Sequence, residues 1–343
     1  MSQISPPSGD KSALAGVTPA DAAPVTGTAE HVEREFTVRA MTSRQLVSRR
    51  FFRHRGALAG LAVFLLTVLL AFSSIGVAGI PGWWSQSYKT TGTKVDGGRM
   101  TLDLLPPFVD GDGFSLGKHP FGQDDVGRDY YALTMRGAQR SITIALIVGL
   151  VSTVIGVLVG ASSGFFRGMT EGALMRVTDL VLTIPQLVIA AVIGLKFGGG
   201  AFTLALMLGF ITWPNLARLV RGEFLSLREK EFVEAARAMG ASSWRIIFRH
   251  ILPNTLGTII VSATLSVSAA ILLETALSYL GLGVQSPDTS LGLLISEYQD
   301  AFTVRPWLFW WPGLFIIMVA LSVNFIGDGL RDAFDPKQTR VRA

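Results

Sequence analysis

The sequence predicts an all-α integral membrane protein with six transmembrane helices. Of its 343 residues, 49% are hydrophobic and 16% are charged, whereas an ordinary soluble domain carries about 25% charged residues. The mean hydropathy of +0.45 is correspondingly high. The chain also contains six long apolar runs, and a bilayer core about 30 Å thick is crossed by about 20 residues of helix. This composition argues against a soluble enzyme and against a disordered protein.

The six predicted spans follow these apolar runs in chain order. Asp179 lies near one end of the third run, and Glu274 follows the fifth. Pro185 is expected to kink the third span, because proline has no N–H to donate. The predicted spans are 56–80, 141–166, 177–195, 201–217, 255–273 and 306–326.

Basic residues in the flanking segments predict that both termini are cytoplasmic. Arginines cluster at 44–55 and, with Lys230, at 218–249, and further basic residues lie after 330. Such residues favour the cytoplasmic side of a membrane. The tryptophans at 83–84 and 307–311 are predicted at the opposite interface. We interpret the basic segment beside the first span as a topology determinant and not as a nucleic-acid site.

These patterns divide the chain into a tail, a membrane domain and two long loops. Residues 1–40 are predicted to form a disordered cytoplasmic tail, because they bury too little apolar surface to order themselves. A basic cytoplasmic segment at 41–55 precedes a six-span domain at 56–337. That domain contains an extracytoplasmic loop at 81–140 and a cytoplasmic loop at 222–254, and 338–343 form a second cytoplasmic tail.

Several classes of catalytic and metal site are excluded by composition or spacing. The absence of cysteine removes thiolate metal sites and cysteine nucleophiles, and the four histidines are scattered. No phosphate-binding G-x-x-x-x-G-K-[ST] sequence occurs. The acidic cluster at 124–129 lacks the spacing of an EF-hand. We therefore expect no catalytic residue and no metal or cofactor bound by this chain.

The cytoplasmic loop is predicted to contain two short amphipathic helices joined by a bend. Ser226 and Glu229 have the spacing of a capping box, and Gly240 suits a helix end. Pro253 marks a boundary after the second helix. Periodicity alone leaves open whether the apolar faces meet lipid or a protein partner. The predicted faces consist of Phe232, Ala235, Ala236 and Met239, then Trp244, Ile247, Phe248 and Ile251.

The same loop resembles the EAA loop of ABC-importer permeases. The family pattern, EAA followed by a glycine and then I-x-L-P, is matched by 234–236, Gly240 and 250–253, with His250 in place of the first isoleucine. Residues 119–129, 274–282 and 327–336 resemble the dipeptide and oligopeptide branch. The resemblance covers about 40–337 and best fits the C-type permease subunit of that family.

This resemblance implies a type I ABC-importer permease that forms a channel and is not an enzyme. It implies a second permease subunit, two cytoplasmic ATPase subunits that hold ATP and magnesium, and an extracytoplasmic binding protein. The cargo would be di- or oligopeptides, carried inward across a bacterial cytoplasmic membrane. A stand-alone ion-coupled secondary carrier is the alternative. The residues implied in ATPase coupling are Glu234, Ala235, Ala236, Gly240, Ala241 and Pro253.

Three further polar groups are candidates for function. Glu274 is either a hydrated or locally paired carboxylate at the outer interface, which we favour, or part of a translocation path. Asp179 is expected to pair with Arg176. The outer loop is expected to be ordered by Asp–Arg pairs and to dock the binding protein. Its candidate docking residues are Asp125, Arg128 and Asp129.

Overall fold

The computed structural model describes residues 43–77, 79–103, 115–197 and 200–335. The predicted tails at 1–40 and 338–343 lie outside these residues. The described part is mainly helical, and the rest consists of one hairpin with two-residue strands, an irregular segment between that hairpin and Tyr130, and short turns. The helices are α1 Ser43–Phe51, α2 Arg55–Ser74, α3 Tyr130–Phe166, α4 Gly168–Thr183, α5 Gln186–Phe197, α6 Ala201–Thr212, α7 Pro214–Arg228, α8 Glu231–Ala238, α9 Ser243–Arg245, α10 Leu252–Tyr279, α11 Leu291–Tyr298 and α12 Trp307–Phe334. Strands β1 Gly76–Val77 and β2 Ile80–Pro81 pair antiparallel.

Four helices in this part of the chain are long and apolar enough to cross a membrane. They are α2, α3, the continuous stretch Ser243–Tyr279, and α12. The pairs α4–α5 and α6–α7 pass the same test only when each bent pair is taken as one span. Length and composition thus support four to six spans, and each predicted apolar run lies in one of these helices or pairs.

Proline sites explain the two bent pairs. The axes of α4 and α5 differ by 83° across Pro185, which confirms the predicted kink. The axes of α6 and α7 differ by 42°, and this bend lies at Pro214, the first residue of α7. Proline is tolerated in the first turn of a helix because the N–H it lacks has no partner there.

Most predicted span limits differ from the ends of the helices, and two of these differences have a clear local cause. The first span ends at Ser74 and not at 80, because Gly76 takes a left-handed conformation and opens the β1–β2 hairpin. The second begins at Tyr130 and not at 141, because the Asp129 side chain accepts the N–H of Ala132 and caps α3. The predicted loop at 81–140 is therefore shorter. We define the outer loop as residues 81–129.

Helix α3 is the centre of the packing. Its glycines let α7 and α10 approach closely, as small residues do in membrane helix pairs. A Cβ on Gly160 would lie 2.5 Å from the carbonyl oxygen of Ala217, and one on Gly149 would lie 2.4 Å from a methyl group of Val267. One large apolar cluster surrounds the first part of α3, and a second surrounds its last turns.

Candidate functional site

The predicted cytoplasmic loop folds as a compact bent unit that we call the elbow, residues 231–251. It consists of α8, a turn at Gly240, α9, and a π-helical turn at Ile246–Ile251 that runs into α10. The two short helices and the bend between them are confirmed. The predicted cap at Ser226 was wrong, because α7 continues through Arg228 and Lys230 occupies the N-cap of α8 without a side-chain bond.

Gly240 ends α8 in the left-handed conformation, with φ of +79°. The N–H of Gly240 bonds the carbonyl of Arg237, and the N–H of Ala241 bonds that of Ala236, both at 3.0 Å. This pair of bonds defines a Schellman motif. A Cβ at Gly240 would meet nothing within 4 Å, so the requirement for glycine comes from backbone conformation alone. Ser242 then caps α9, its Oγ accepting the Arg245 N–H at 3.4 Å.

The buried face of the elbow differs from the predicted one. Val233 and Ala236 are buried in α8, while Phe232 and Met239 are 41% and 80% exposed. The π-helical turn changes the period of the second arm, so consecutive residues Ile246 and Ile247 are buried together with Ile251. Trp244 and Phe248 are exposed, and their rings stack with centroids 5.5 Å apart. Three of the four residues of the first predicted face and two of the four of the second therefore face outward.

The buried side of the elbow packs into an apolar cluster shared by α7 and the end of α3. Val233 and Ile247 belong to the apolar cluster that contains Phe165 and Phe224. Arg228, just before the elbow, donates to the carbonyl oxygen of Phe165. The elbow thus has a fixed attachment to the membrane helices.

The exposed side carries most of the residues that the EAA resemblance singles out. Glu234 and Ala235 are exposed, and Ala241 is half-buried. Ala236 is buried and helps to anchor α8. Pro253 does not end a helix as predicted: Ser243–Tyr279 is continuous, and Pro253 lies in the first turn of α10, where its missing N–H is tolerated.

The outer loop is ordered by buried carboxylates, as the Asp–Arg prediction requires. Asp124 is fully buried and accepts from the Arg128 backbone at 2.7 Å, the Arg128 side chain at 2.5 Å and the Tyr298 hydroxyl at 3.2 Å. Asp129 is 2% exposed. One carboxylate oxygen accepts the indole N–H of Trp84 at 2.8 Å, and Nδ1 of His119 lies 2.8 Å from the other oxygen. Asp129 is therefore closed to a docking protein, and its proposed docking role was wrong.

Asp125 is the exposed carboxylate of this group. It pairs with Arg305, and Lys94 lies 3.7 Å away. The hydrogen bond from Arg305 lowers the pKa of Asp125, against a small opposing effect of burial. Asp125 therefore stays ionised and accessible, and Arg128 is partly exposed beside it.

Glu274 is buried, so the expectation of a hydrated carboxylate was wrong, whereas a local partner is present in Ser278, one helical turn away. Glu274 has no exposed surface, and its two oxygens accept the hydroxyls of Ser141 on α3 at 2.8 Å and Ser278 at 2.7 Å. Those hydroxyls in turn accept the backbone N–H groups of Leu291 and Val284. Glu274 thus orients Ser141, which holds the start of α11 against α3, and Ser278, which holds the loop at Val284 against the end of α10.

We expect Glu274→Leu to lower the free energy of unfolding by about 2 kcal/mol, because it leaves buried hydroxyls without an acceptor. Glu274→Gln keeps one acceptor oxygen and should cost less than half as much. Thermal unfolding of the purified protein in detergent compares the two. Equal losses for leucine and glutamine would contradict the proposed hydrogen-bonding role.

Asp179 pairs with Arg218 of α7 at 2.5 Å, and the predicted pair with Arg176 was wrong. The bend after α4 brings α4 beside α7, where Arg221 also contacts Glu171. Within the described residues, no group of three or more His, Asp or Glu could hold a metal ion.

Comparison with known families decides the assignment. Residues 136–340 match the model of the binding-protein-dependent transport system inner membrane component. The chain belongs to this family of transport permeases. Residues 42–107 also match the N-terminal transmembrane domain of oligopeptide transport permease C. The suggested relationship to C-type permeases is confirmed, and the family is one of membrane transport components and not of enzymes.

Curated relatives agree with this family over most of the chain. The permease is 40% identical over 301 residues to an oligopeptide transport system permease protein of Mycobacterium tuberculosis, covering 87% of this chain and 96% of the relative. It is 37% identical to one of Bacillus subtilis, over 84% and 88%. A MetNI methionine ABC transporter structure has a TM-score of 0.49 at 19% identity, over 59% of this chain and 96% of that chain, which is too weak to carry an argument.

Proposed function

We propose that the chain is one channel-forming permease subunit of an ATP-driven importer, and that it carries short peptides inward across the bacterial cytoplasmic membrane. The peptide cargo is supported by relatives named as oligopeptide permeases. The proposed topology has six spans with both ends cytoplasmic, in which the bent pairs α4–α5 and α6–α7 each count as one span. The arginine clusters and the tryptophans of the outer loop support that orientation.

The shape of the elbow is the observation that carries this proposal. On one side, Val233 and Ile247 belong to the apolar cluster formed with residues of α3 and α7, and the other side exposes the apolar residues Phe232, Met239 and Trp244. A large exposed apolar ridge is typical of an interaction surface. A rigid unit attached to the membrane helices transmits a displacement, so a partner that moves the elbow would also move α3.

The proposed partner at the elbow is a cytoplasmic ATPase subunit, which would hold the ATP and magnesium that this chain is not expected to bind. The two arms of the elbow differ in charge. Glu231 and Glu234 lie on α8 with one arginine, Arg237, whereas the second arm carries Arg245 and Arg249, which line a hollow of about 400 Å³ between the two arms. A partner groove with basic and acidic ends would therefore accept the elbow in one orientation.

We expect Ala235→Trp to weaken ATPase-subunit binding at least tenfold and to leave the fold intact. Ala235 is exposed, so the larger ring meets no neighbour within this chain but blocks close approach of a partner. Co-purification of the permease with its ATPase subunits measures the loss. Met169→Trp is the matched control, because Met169 is 93% exposed and lies outside the elbow. Undiminished co-purification of Ala235→Trp would contradict docking at this surface.

The secondary-carrier alternative gives a different result in the same preparation. An importer subunit should purify with ATPase chains and a second permease, and its uptake should require ATP. A carrier should purify alone and lose uptake when the ion gradient is collapsed. Uptake that continues without ATP would refute the importer proposal.

A further inference from the structure

A hollow of about 320 Å³ opens at the end of the bundle that carries the outer loop. It lies between the outer loop, the start of α3, the 286–289 loop and α11. Leu133 and Thr289 are its buried lining residues, and Tyr88 and Pro287 contribute to its walls. Its volume is at the lower end of the range for small-molecule sites, about 300–1,000 Å³, and suits a ligand of dipeptide size.

The hollow contains a polar group without a partner. Thr289 is 6% exposed, and its Oγ1 is buried with no hydrogen-bond partner among the described residues. Leaving such a group unsatisfied costs about 1–3 kcal/mol. Buried hydroxyls are therefore normally paired, and a ligand in the hollow could complete this one.

Charges of both signs surround the opening. Lys89 and Glu297 both line the hollow, and neither forms an ion pair within the described ranges. The other two charged lining residues are already engaged. Arg128 forms an ion pair with Asp124. Asp288 forms ion pairs with Arg136 and Arg140, whose Nε atoms lie 3.1 Å and 2.5 Å from its carboxylate oxygens. The engaged pairs hold the walls in place. Lys89, whose Nζ lies 5.5 Å from the centre of the Tyr88 ring, and Glu297 have no ion-pair partner among the described residues and are the charges open to a ligand.

We infer that this hollow binds a short zwitterionic peptide, with its carboxylate toward Lys89, its ammonium toward Glu297 and a backbone polar group at the Thr289 hydroxyl. A single charged side chain of a docked binding protein would pair with either Lys89 or Glu297 and would leave the other residue without a partner. A ligand with both termini free satisfies both. The inference takes its ligand class from the proposed function but assigns a binding site on the permease itself.

The test uses the purified permease assembly in lipid nanodiscs, without the binding protein, titrated by calorimetry at low salt. The probes are dialanine, N-acetyl-dialanine, which lacks the ammonium, and dialanine amide, which lacks the carboxylate. We expect dialanine to bind, and each blocked probe to bind about fivefold more weakly, as for the loss of one partly exposed ion pair.

Variants assign each terminus to its residue. In Glu297→Gln the affinity for dialanine should fall about fivefold and acetylation should have no further effect. In Lys89→Met the affinity for dialanine should also fall about fivefold, and amidation of the peptide should have no further effect. Thr289→Val, which is close in shape, should weaken all three probes equally. Lys118→Met and Asp300→Asn remove one exposed charge each from the same end of the protein, outside the hollow, and should change nothing.

Three results would overturn the inference: no binding of dialanine, equal binding of all three probes, or equal effects of the hollow and control variants. If the hollow variants weaken binding-protein affinity while dialanine does not bind, the hollow is a protein-docking site instead. Failure of dialanine binding in an assembly that still imports peptides refutes the hollow alone. Dialanine binding in an assembly that imports no peptide refutes the proposed function and leaves the hollow standing.

Discussion

Gly240→Val is expected to leave the protein inserted and folded but to lower peptide uptake at least tenfold. The native φ of +79° is costly for a β-branched residue, by about 1–2 kcal/mol. Because a new side chain would meet nothing within 4 Å, the strain can be relieved by rotating the turn without disturbing the core. The elbow then points elsewhere. ATP-dependent uptake into proteoliposomes and thermal unfolding of the same preparation separate the two effects.

Two variants control for size and conformation. Gly222→Val adds the same side chain at an exposed helical glycine that also has open space around it, and uptake should be unchanged. Gly240→Asn should retain most of the uptake, because asparagine tolerates the left-handed conformation. Normal uptake by Gly240→Val would show that the direction of the elbow does not matter for transport.

Asp124→Ala should lower the free energy of unfolding by about 3 kcal/mol, the lower end of the range for a broken buried ion pair, because Arg128 is partly exposed. Asp124 is fully buried and gathers Arg128 and Tyr298 around one carboxylate. Alanine leaves the Tyr298 hydroxyl without its acceptor and leaves Arg128 with that hydroxyl as its remaining side-chain partner. Thermal unfolding in detergent, with tryptophan fluorescence as the probe, measures the loss.

The neighbouring residue is a close control for that loss. Asp125→Ala removes a carboxylate that is 61% exposed, and exposed pairs contribute about 0–1 kcal/mol. We expect Asp125→Ala to unfold like the native protein but to reduce binding-protein affinity, if this surface is the docking site. A large destabilisation by Asp125→Ala, or none by Asp124→Ala, would contradict the burial that distinguishes them.

Apolar runs predict the membrane helices well, because desolvation dominates their energetics whatever they pack against. The bend at Pro185 and the turn at Gly240 were also predictable, since proline and glycine act through the local backbone. Boundaries set by a cap, such as Asp129 at the start of α3, were missed because several neighbouring acids could have served.

Side-chain environments were harder to predict, since they depend on the tertiary packing. Phe232 and Met239 have helical spacing but are exposed, because α8 turns Val233 and Ala236 into the buried apolar cluster instead. The faces of the second arm were misassigned because a π-helical turn breaks the period of 3.6 residues on which the pattern depends. Glu274 was expected to be hydrated or locally paired, and its partner Ser141 on α3 was missed because it is 133 residues away in sequence. Asp179 pairs with Arg218 of α7, which the sequence pattern does not place beside α4.

The length of α3 has a mechanical consequence. Its 37 residues form a rod of about 55 Å, longer than the bilayer core is thick. Asp129 fixes one end to the outer loop, and the carbonyl of Phe165 holds Arg228 at the other. A tilt of about 5° about the midpoint of α3 would shift its two ends by about 2 Å in opposite directions. Docking on one side of the membrane and nucleotide-driven closure on the other could therefore be coupled through this one rigid helix.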